Sequence, residues 1–243
     1  MGVTMGKNIL IIGASGEIGV STAEVLLQKG HHLYLHYHSN PTPINEFKQG
    51  KYGEQIKNSF QADLRFSDSL QLFLEKLPTD IDQVVFASGK AYFGLFQEME
   101  DEIMDQLIHL HVTAPWKITK AILPQMIRRK SGHIVFITSI WGEIGASCEV
   151  AYSSVKGGQN ALVKALAKEV APSGIYVNAV SPGLIATKMN NHLSEEDLRI
   201  IEEDIPMLRS GQSEEVANVV SFLLSKQASY INGEIIKVNG AWY

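Results

Sequence analysis

Tyr152 and Lys156 stand four residues apart at the start of a long Ala/Leu/Val pattern of helical period. On a helix they share one face, one turn apart. That pairing has chemical content. A free phenol has a pKa of about 10 and keeps its proton at neutral pH. A nearby ammonium favours the phenolate and lowers that value, toward the range useful for general acid–base work. Ser139 leaves the end of the apolar run Ile134-Val135-Phe136-Ile137, which is too short for a helix and β-branched enough for a buried strand. Its hydroxyl can reach the same spot. The chemistry implied is a carbonyl gripped by Ser139 and protonated by Tyr152. A Tyr-x-x-x-Lys alone arises readily by chance, so the reading depends on the elements that position it.

The first of these is a strand over Lys7–Ile12, followed by Gly13-Ala-Ser-Gly16-Glu-Ile-Gly19 and a helix to about Lys29. Strand, glycine turn and helix form the context of a dinucleotide site. The glycines let backbone N–H groups approach a pyrophosphate, and the helix N-terminus favours its charge. A second strand spans Leu33–Tyr37. An NAD-preferring site usually carries an acid about 20 residues after the glycines, on the ribose 2′-OH. Here the stretch is His36-Tyr-His38-Ser39-Asn40, with neither acid nor Arg. It permits a 2′-phosphate, for which Ser39, Asn40 and the histidines are candidates.

The pattern continues with a short helix and loop in Pro41–Lys57, a strand over Phe60–Leu64, and a Ser-capped helix over Ser67–Leu77. A strand over Asp82–Ala87 ends in Ser88-Gly89. Helical periodicity fills Glu98–Arg129, interrupted near Ala114-Pro115. The helix of Tyr152 runs to about Ala171, and a strand over Ile175–Val180 ends in Ser181-Pro182-Gly183. Thr187–Arg209 reads as a mobile helical insert, a lid over the substrate. A capped helix over Ser213–Ser225 and a strand over Glu234–Val238 close the chain. Alternating strands and helices give parallel pairing and a Rossmann-type, doubly wound α/β sheet of about seven strands with helices on both faces. Ligands bind such sheets beyond the carboxyl ends of the strands. Gly13, Ser39, Asp63, Gly89, Ser139 and Pro182 all fall there.

The chain has 243 residues, 45% of them hydrophobic, and a formal net charge of −5, which suits one domain with a large core. Nothing in that balance pulls toward nucleic acid or membrane, no apolar run reaches spanning length, and no metal site is expected. The N-terminus has no signal-peptide layout, and Met5 is a possible second start, leaving Met1–Thr4 as a tail. The one cysteine, Cys148, fits a reducing cytoplasm and reads as a small packing residue.

Together these pieces resemble the short-chain dehydrogenase/reductase family over the full length, most of all its 3-oxoacyl-[acyl-carrier-protein] reductase branch. The residues that carry the resemblance are Gly13–Gly19, Asp63, Gly89, Ser139, Tyr152-x-x-x-Lys156, Val177-Asn178 before Ser181-Pro182-Gly183, and Ile235–Gly240. The resemblance implies an NADP(H)-dependent ketone reductase, with NAD(H) the lesser option. Tyr152 would be the acid. Lys156 would bind the nicotinamide ribose and lower the Tyr152 pKa, and Ser139 would orient the carbonyl. The cofactor would lie along Gly13, Ser15, Gly16, Ile18 and Gly19. It would meet His38, Ser39 and Asn40 at the second strand and Asp63 and Leu64 at the third. Ser88 and Gly89 would follow, then Tyr152 and Lys156, and finally Pro182, Gly183, Ile185 and Thr187. A homotetramer is implied as well.

Four positions depart from that branch. Glu17 replaces a glycine and is expected to point outward from the first helical turn. Phe86-Ala87-Ser88-Gly89 replaces Asn-Asn-Ala-Gly. His111 replaces a catalytic Asn, and is a candidate for relaying protons to Lys156. Ser173 replaces one Arg thought to dock acyl-carrier protein, while Arg128-Arg129-Lys130 keeps the other basic site. The run Ser139–Val150 further resembles firmicute reductases assigned to a 5-aminopentanone modification on translation elongation factor P. Glu143 and Glu149 would then form an acidic mouth for an amine. The substrate stays open between that ketone and a 3-oxoacyl group on acyl-carrier protein. The other class left open is a non-catalytic NADP(H)-binding sensor on the same fold.

Overall fold

The computed structural model describes residues 6–191 and 193–243; Met1–Met5, which hold the expected second start, lie outside the described residues, as does His192. In chain order the first half runs β1 (Asn8–Ile12), α1 (Glu17–Gln28), β2 (His32–Tyr37), α2 (Thr42–Gln49), β3 (Ile56–Gln61), α3 (Ser67–Glu75), β4 (Gln83–Phe86), α4 (Asp101–Ile108) and α5 (Ala114–Arg129). The second half runs β5 (Gly132–Ile137), α6 (Trp141–Ile144), α7 (Val150–Val170), β6 (Ile175–Pro182), α8 (Glu195–Asp204), α9 (Ser213–Leu223) and β7 (Ile235–Val238). The strands form one seven-stranded sheet in the order β3-β2-β1-β4-β5-β6-β7. Every pairing is parallel. The expected doubly wound architecture is therefore the one observed.

Period-two alternation divides the core. Leu10, Ile12, Val84, Phe86, Ile134 and Phe136 face one layer with residues of α3, α5 and α7. Ile9, Ile11, Val85, Val135 and Ile137 face the other, with α1 and α9. Strands buried on both faces read as continuous apolar runs, which is why β1, β4 and β5 are visible in the sequence. The register sets Ile12 beside both His36 and Phe86, so the carboxyl ends of β1, β2 and β4 finish level. The site is built on that edge.

Some boundaries differ from expectation, each for a local reason. β3 begins at Ile56, upstream of the expected Phe60, because it is an edge strand whose first residues include the polar, exposed Lys57 and Asn58. Ser67 does not cap α3: the N-cap position is Phe66, with no side-chain cap. The break in the Glu98–Arg129 stretch comes just before Ala114, where His109–Thr113 form a π-turn between α4 and α5. α6 is a single helical turn in a loop whose glycines gave no helical signal.

Candidate active site

The glycine turn is shaped by close backbone approach. Gly13 has φ +86°, and a Cβ there would stand 2.5 Å from the Ser88 nitrogen. A Cβ at Gly19 would meet the Gly13 carbonyl oxygen at 2.1 Å. Only glycine fits either position. Ala14 N–H donates to the His36 carbonyl at 2.8 Å, and Gly13 N–H lies 3.2 Å from His36 Nδ1, so β2 braces the turn from below. His36 is buried at the floor of the turn and its Nε2 lies 3.0 Å from the Ala62 carbonyl. Burial pulls its pKa down to about 4, so it is neutral at neutral pH.

Above the turn opens a cleft of about 780 Å³ lined by Gly13, Ser15, Gly16, Ile18, His38, Asp63, Leu64, Ser88, Gly89 and Thr187. This glycine cradle, closed to a Cβ at Gly13 and Gly19, fits a dinucleotide, whose diphosphate would sit at the uncapped N-terminus of α1. Gly19 lies beneath the turn and outside the lining. Ser39 and Asn40 are also outside it, both exposed, and the Asn40 side chain accepts the Thr42 N–H at 3.1 Å ahead of α2. Both follow directly on His38, which lines the cleft.

Arg65 lines the same cleft and was missed by reading along the chain. Its Nη2 pairs with Asp63 Oδ2 at 2.7 Å, its Nε with Oδ1 at 2.9 Å, and its Nη1 reaches Gln106 Oε1 at 3.2 Å. His38 Nε2 approaches the same carboxylate at 3.2 Å. Hydrogen bonds from Arg65 hold the Asp63 carboxyl below its ordinary range. One rim thus carries an arginine and a histidine around one acid. The signal in the sequence was Arg65 itself, two residues after Asp63, but it lies in the loop after β3 and not at the β2 end.

On the other side of the shared wall is a pocket of about 400 Å³ lined by Ser139, Tyr152, Lys156, Pro182, Gly183, Ile185 and Thr187. Ser139 ends β5 and its hydroxyl accepts the Trp141 N–H at 3.2 Å, which fixes the turn into α6. α6 lies against α7: a Cβ at Gly142 would stand 2.7 Å from the Lys156 carbonyl carbon. That contact brings Ser139 to the face of α7 that carries Tyr152 and Lys156. Tyr152 is 7% exposed and Lys156 2%, and Lys156 Nζ donates to the Ile137 carbonyl at 2.8 Å.

The proton affinities differ from the expectation. Burial pushes the Tyr152 phenol up, the Glu149 charge pushes it further, and a hydrogen bond with Ser139 opposes both. Burial also pulls Lys156 down to about 7. The phenol therefore lies above its ordinary range and not below it, with desolvation the largest influence on it.

His111 is fully buried in the π-turn, edge-on to the Tyr152 ring at 5.7 Å between centroids. Its Nε2 lies 3.0 Å from the Lys90 carbonyl, while Nδ1 has no partner among the described residues. Burial, then the Lys156 charge, pulls its pKa down to about 3, so it stays neutral at neutral pH. A π-turn of this kind often marks a functional position.

The two carboxylates of the expected mouth part company. Glu143 accepts the Ser181 hydroxyl at 2.9 Å and pairs with Lys237 at 3.4 Å, outside the pocket lining, whereas Glu149 lines the pocket. Cys148 is half-buried with φ +62°, a loop residue and not a core one. Arg129 of the basic run donates to the carbonyls of Thr79 and Ile81, at the opposite end of the sheet from the site. Within 187–209, α8 starts with a capping box between Ser194 and Asp197, and Met189, Asn190, Leu193 and Ile201 line the pocket. No described helix is long and apolar enough to cross a membrane.

Sheet order, glycine turn and the Ser–Tyr–Lys wall define a Rossmann-type oxidoreductase architecture. A family model described as enoyl-(acyl carrier protein) reductase matches residues 13–242. An uncharacterized oxidoreductase of Bacillus subtilis, YmfI, is 43% identical over 98% of this chain and 100% of its own. The 3-oxoacyl-[acyl-carrier-protein] reductase FabG of Aquifex aeolicus is 36% identical over 98% of both. A crystal structure of a putative NAD(P)-dependent gluconate 5-dehydrogenase from Beutenbergia cavernae, with bound NADP at low occupancy, superposes with a TM-score of 0.90 at 25% identity, covering 98% of this chain and 97% of its own. The chain belongs to the short-chain dehydrogenase/reductase family of oxidoreductases.

Proposed function

We propose that this oxidoreductase is an NADPH-dependent carbonyl reductase that turns a ketone into a secondary alcohol. The observation that carries the reading is the convergence of Ser139, Tyr152 and Lys156 on one wall of a pocket that adjoins the glycine cleft. NADPH over NADH is supported by the acid-free end of β2 and by the guanidinium of Arg65, with the His38 imidazole beside it, at the cleft rim. The resemblance to FabG and to the NADP-containing structure agrees with it.

Bound NADPH would supply hydride to the carbonyl carbon and leave as NADP⁺. Ser139 would hold the carbonyl oxygen. Tyr152, whose burial keeps it protonated, would give that oxygen its proton. Charged Lys156 would favour the tyrosinate left behind, which is general acid catalysis worth about 10²–10⁴ in rate. His111, with Nδ1 unpartnered beside this pair, is proposed to help return the proton through Lys156. Residues 187–209 act as the substrate lid. Assembly as a homotetramer and a cytoplasmic location belong to the same reading.

For substrate, the choice lies between a 3-oxoacyl group on acyl-carrier protein and the aminopentanone on elongation factor P. Glu149, alone of the two acids in the pocket lining, supports the amine. The deciding measurement is NADPH oxidation with an acetoacetyl thioester against oxidation with modified elongation factor P. Faster turnover of the aminoketone, with a raised KM in Glu149→Gln, supports the amine. The reverse order assigns the chain to acyl reduction. No oxidation with either, or with an activated ketone, leaves only the non-catalytic sensor.

A further inference from the structure

Glu17 opens α1 where the resemblance places a glycine, and it does not point away into solvent. Its Oε2 accepts the backbone N–H of Lys188 at 2.8 Å, a contact that spans 171 residues of sequence. Lys188 begins the 3₁₀ turn Lys188–Asn190 at the head of the lid. The base of that turn is anchored separately. Asn190 Nδ2 donates to the Ile185 carbonyl at 2.7 Å, and Ala186 N–H to the Gly211 carbonyl at 2.9 Å. The Glu17 bond is therefore what ties the lid's first turn to the glycine turn. Both of its ends line the cleft, together with Gly13, Ser15, Gly16 and Thr187.

The same place suits an anion. Gly16 gives α1 no side-chain cap, so its positive end has no side-chain acceptor from the N-cap. Glu17 is an acid in that first turn. We infer that Glu17 is a latch between the glycine turn and the lid, and that a dinucleotide must displace its carboxylate to seat a diphosphate on α1. This rests on the nicotinamide reading proposed for the cleft. Two anions at one helix end repel, and each has favourable contacts there that the other must give up. Linkage makes the competition reciprocal: what holds the lid opposes the cofactor, and the cofactor loosens the latch.

Amide hydrogen exchange of Thr187–Asn190 without added nucleotide, together with fluorescence titration of NADPH, tests both halves. In Glu17→Ala the Lys188 amide should exchange about fivefold faster, the loss of one ordinary hydrogen bond. Glu17→Gln keeps an acceptor and should leave that amide near wild type. Both variants should bind NADPH more tightly, by up to about tenfold for removal of one nearby negative charge. Unchanged Lys188 exchange in Glu17→Ala overturns the latch. Weaker NADPH binding in both variants overturns the displacement and makes Glu17 a cofactor support. A wild-type chain that takes up neither NADPH nor NADH sinks the functional reading and the displacement with it, while the exchange comparison still decides the latch.

Discussion

Around Gly13 the molecule makes its site out of backbone; around Tyr152 it makes it out of buried side chains. The cleft depends on φ +86° at Gly13 and on approaches of 2.1 and 2.5 Å that no Cβ could share. Its charged groups sit at the rim, where Arg65 and Asp63 keep about a fifth of their side-chain surface in solvent. The pocket places Ser139, Tyr152 and Lys156 at 8% exposure or less, and His111 is buried against the Tyr152 ring. There desolvation sets the proton affinities, raising the phenol and lowering the amine and the imidazole. A shape-based site tolerates changes in its charges and fails on added volume. A chemistry-based site keeps its shape under isosteric change and fails on a lost proton.

The largest effect should come from removing the Tyr152 hydroxyl. Tyr152→Phe is expected to lower kcat by about 10³-fold or more while NADPH affinity holds, since the phenol is the proposed acid. Single-turnover assays beside a fluorescence titration measure both. Turnover close to wild type would remove Tyr152 from the chemistry and erase the contrast.

Next is volume in the cleft. Gly19→Val puts side-chain carbons into the Gly13 carbonyl, and overpacking of this kind costs about 1–3 kcal/mol or more. Thermal melting should fall by several degrees and NADPH binding should disappear. A variant that melts and binds as wild type would show that the turn can open, contrary to the shape argument.

A smaller, selective effect is expected at the rim. Arg65→Ala should raise the NADPH Kd about tenfold, the loss of one charge-assisted contact, and leave NADH almost unchanged. Equal weakening of both cofactors would mean that Arg65 only holds Asp63 in place.

The smallest effect is a pH slope. Lys156, pulled down to about 7 by burial, carries its charge below that value and loses it above. If that charge favours the tyrosinate, kcat for reduction falls as pH rises through about 7. His111, held at about 3, adds no acid limb near neutrality, so His111→Asn should leave the profile's shape alone. A flat profile from pH 6 to 9, a window bracketing the Lys156 value, would remove the role given to its charge.

Strand runs, the glycine turn and the Tyr152–Lys156 spacing were legible because each is local. Burial on both sheet faces writes itself as an apolar run, a tight turn as glycine, and a shared helix face as a spacing of four. From those alone the sequence determined the Rossmann-type architecture and the edge of the sheet where the site lies. β3 was misplaced because an edge strand with exposed polar residues and one buried side chain, Phe60, lacks that signature. The π-turn showed only as an interruption near Ala114-Pro115, since one extra residue in a helical turn alters geometry without altering composition. Only the tertiary structure decided that Arg65 joins His38 at the rim, that Glu143 serves Ser181 and Lys237, and that Glu17 reaches Lys188. It also reversed the expected direction at Tyr152. Proton affinity depends on how much water and which charges surround a group, and those are set by neighbours distant in sequence.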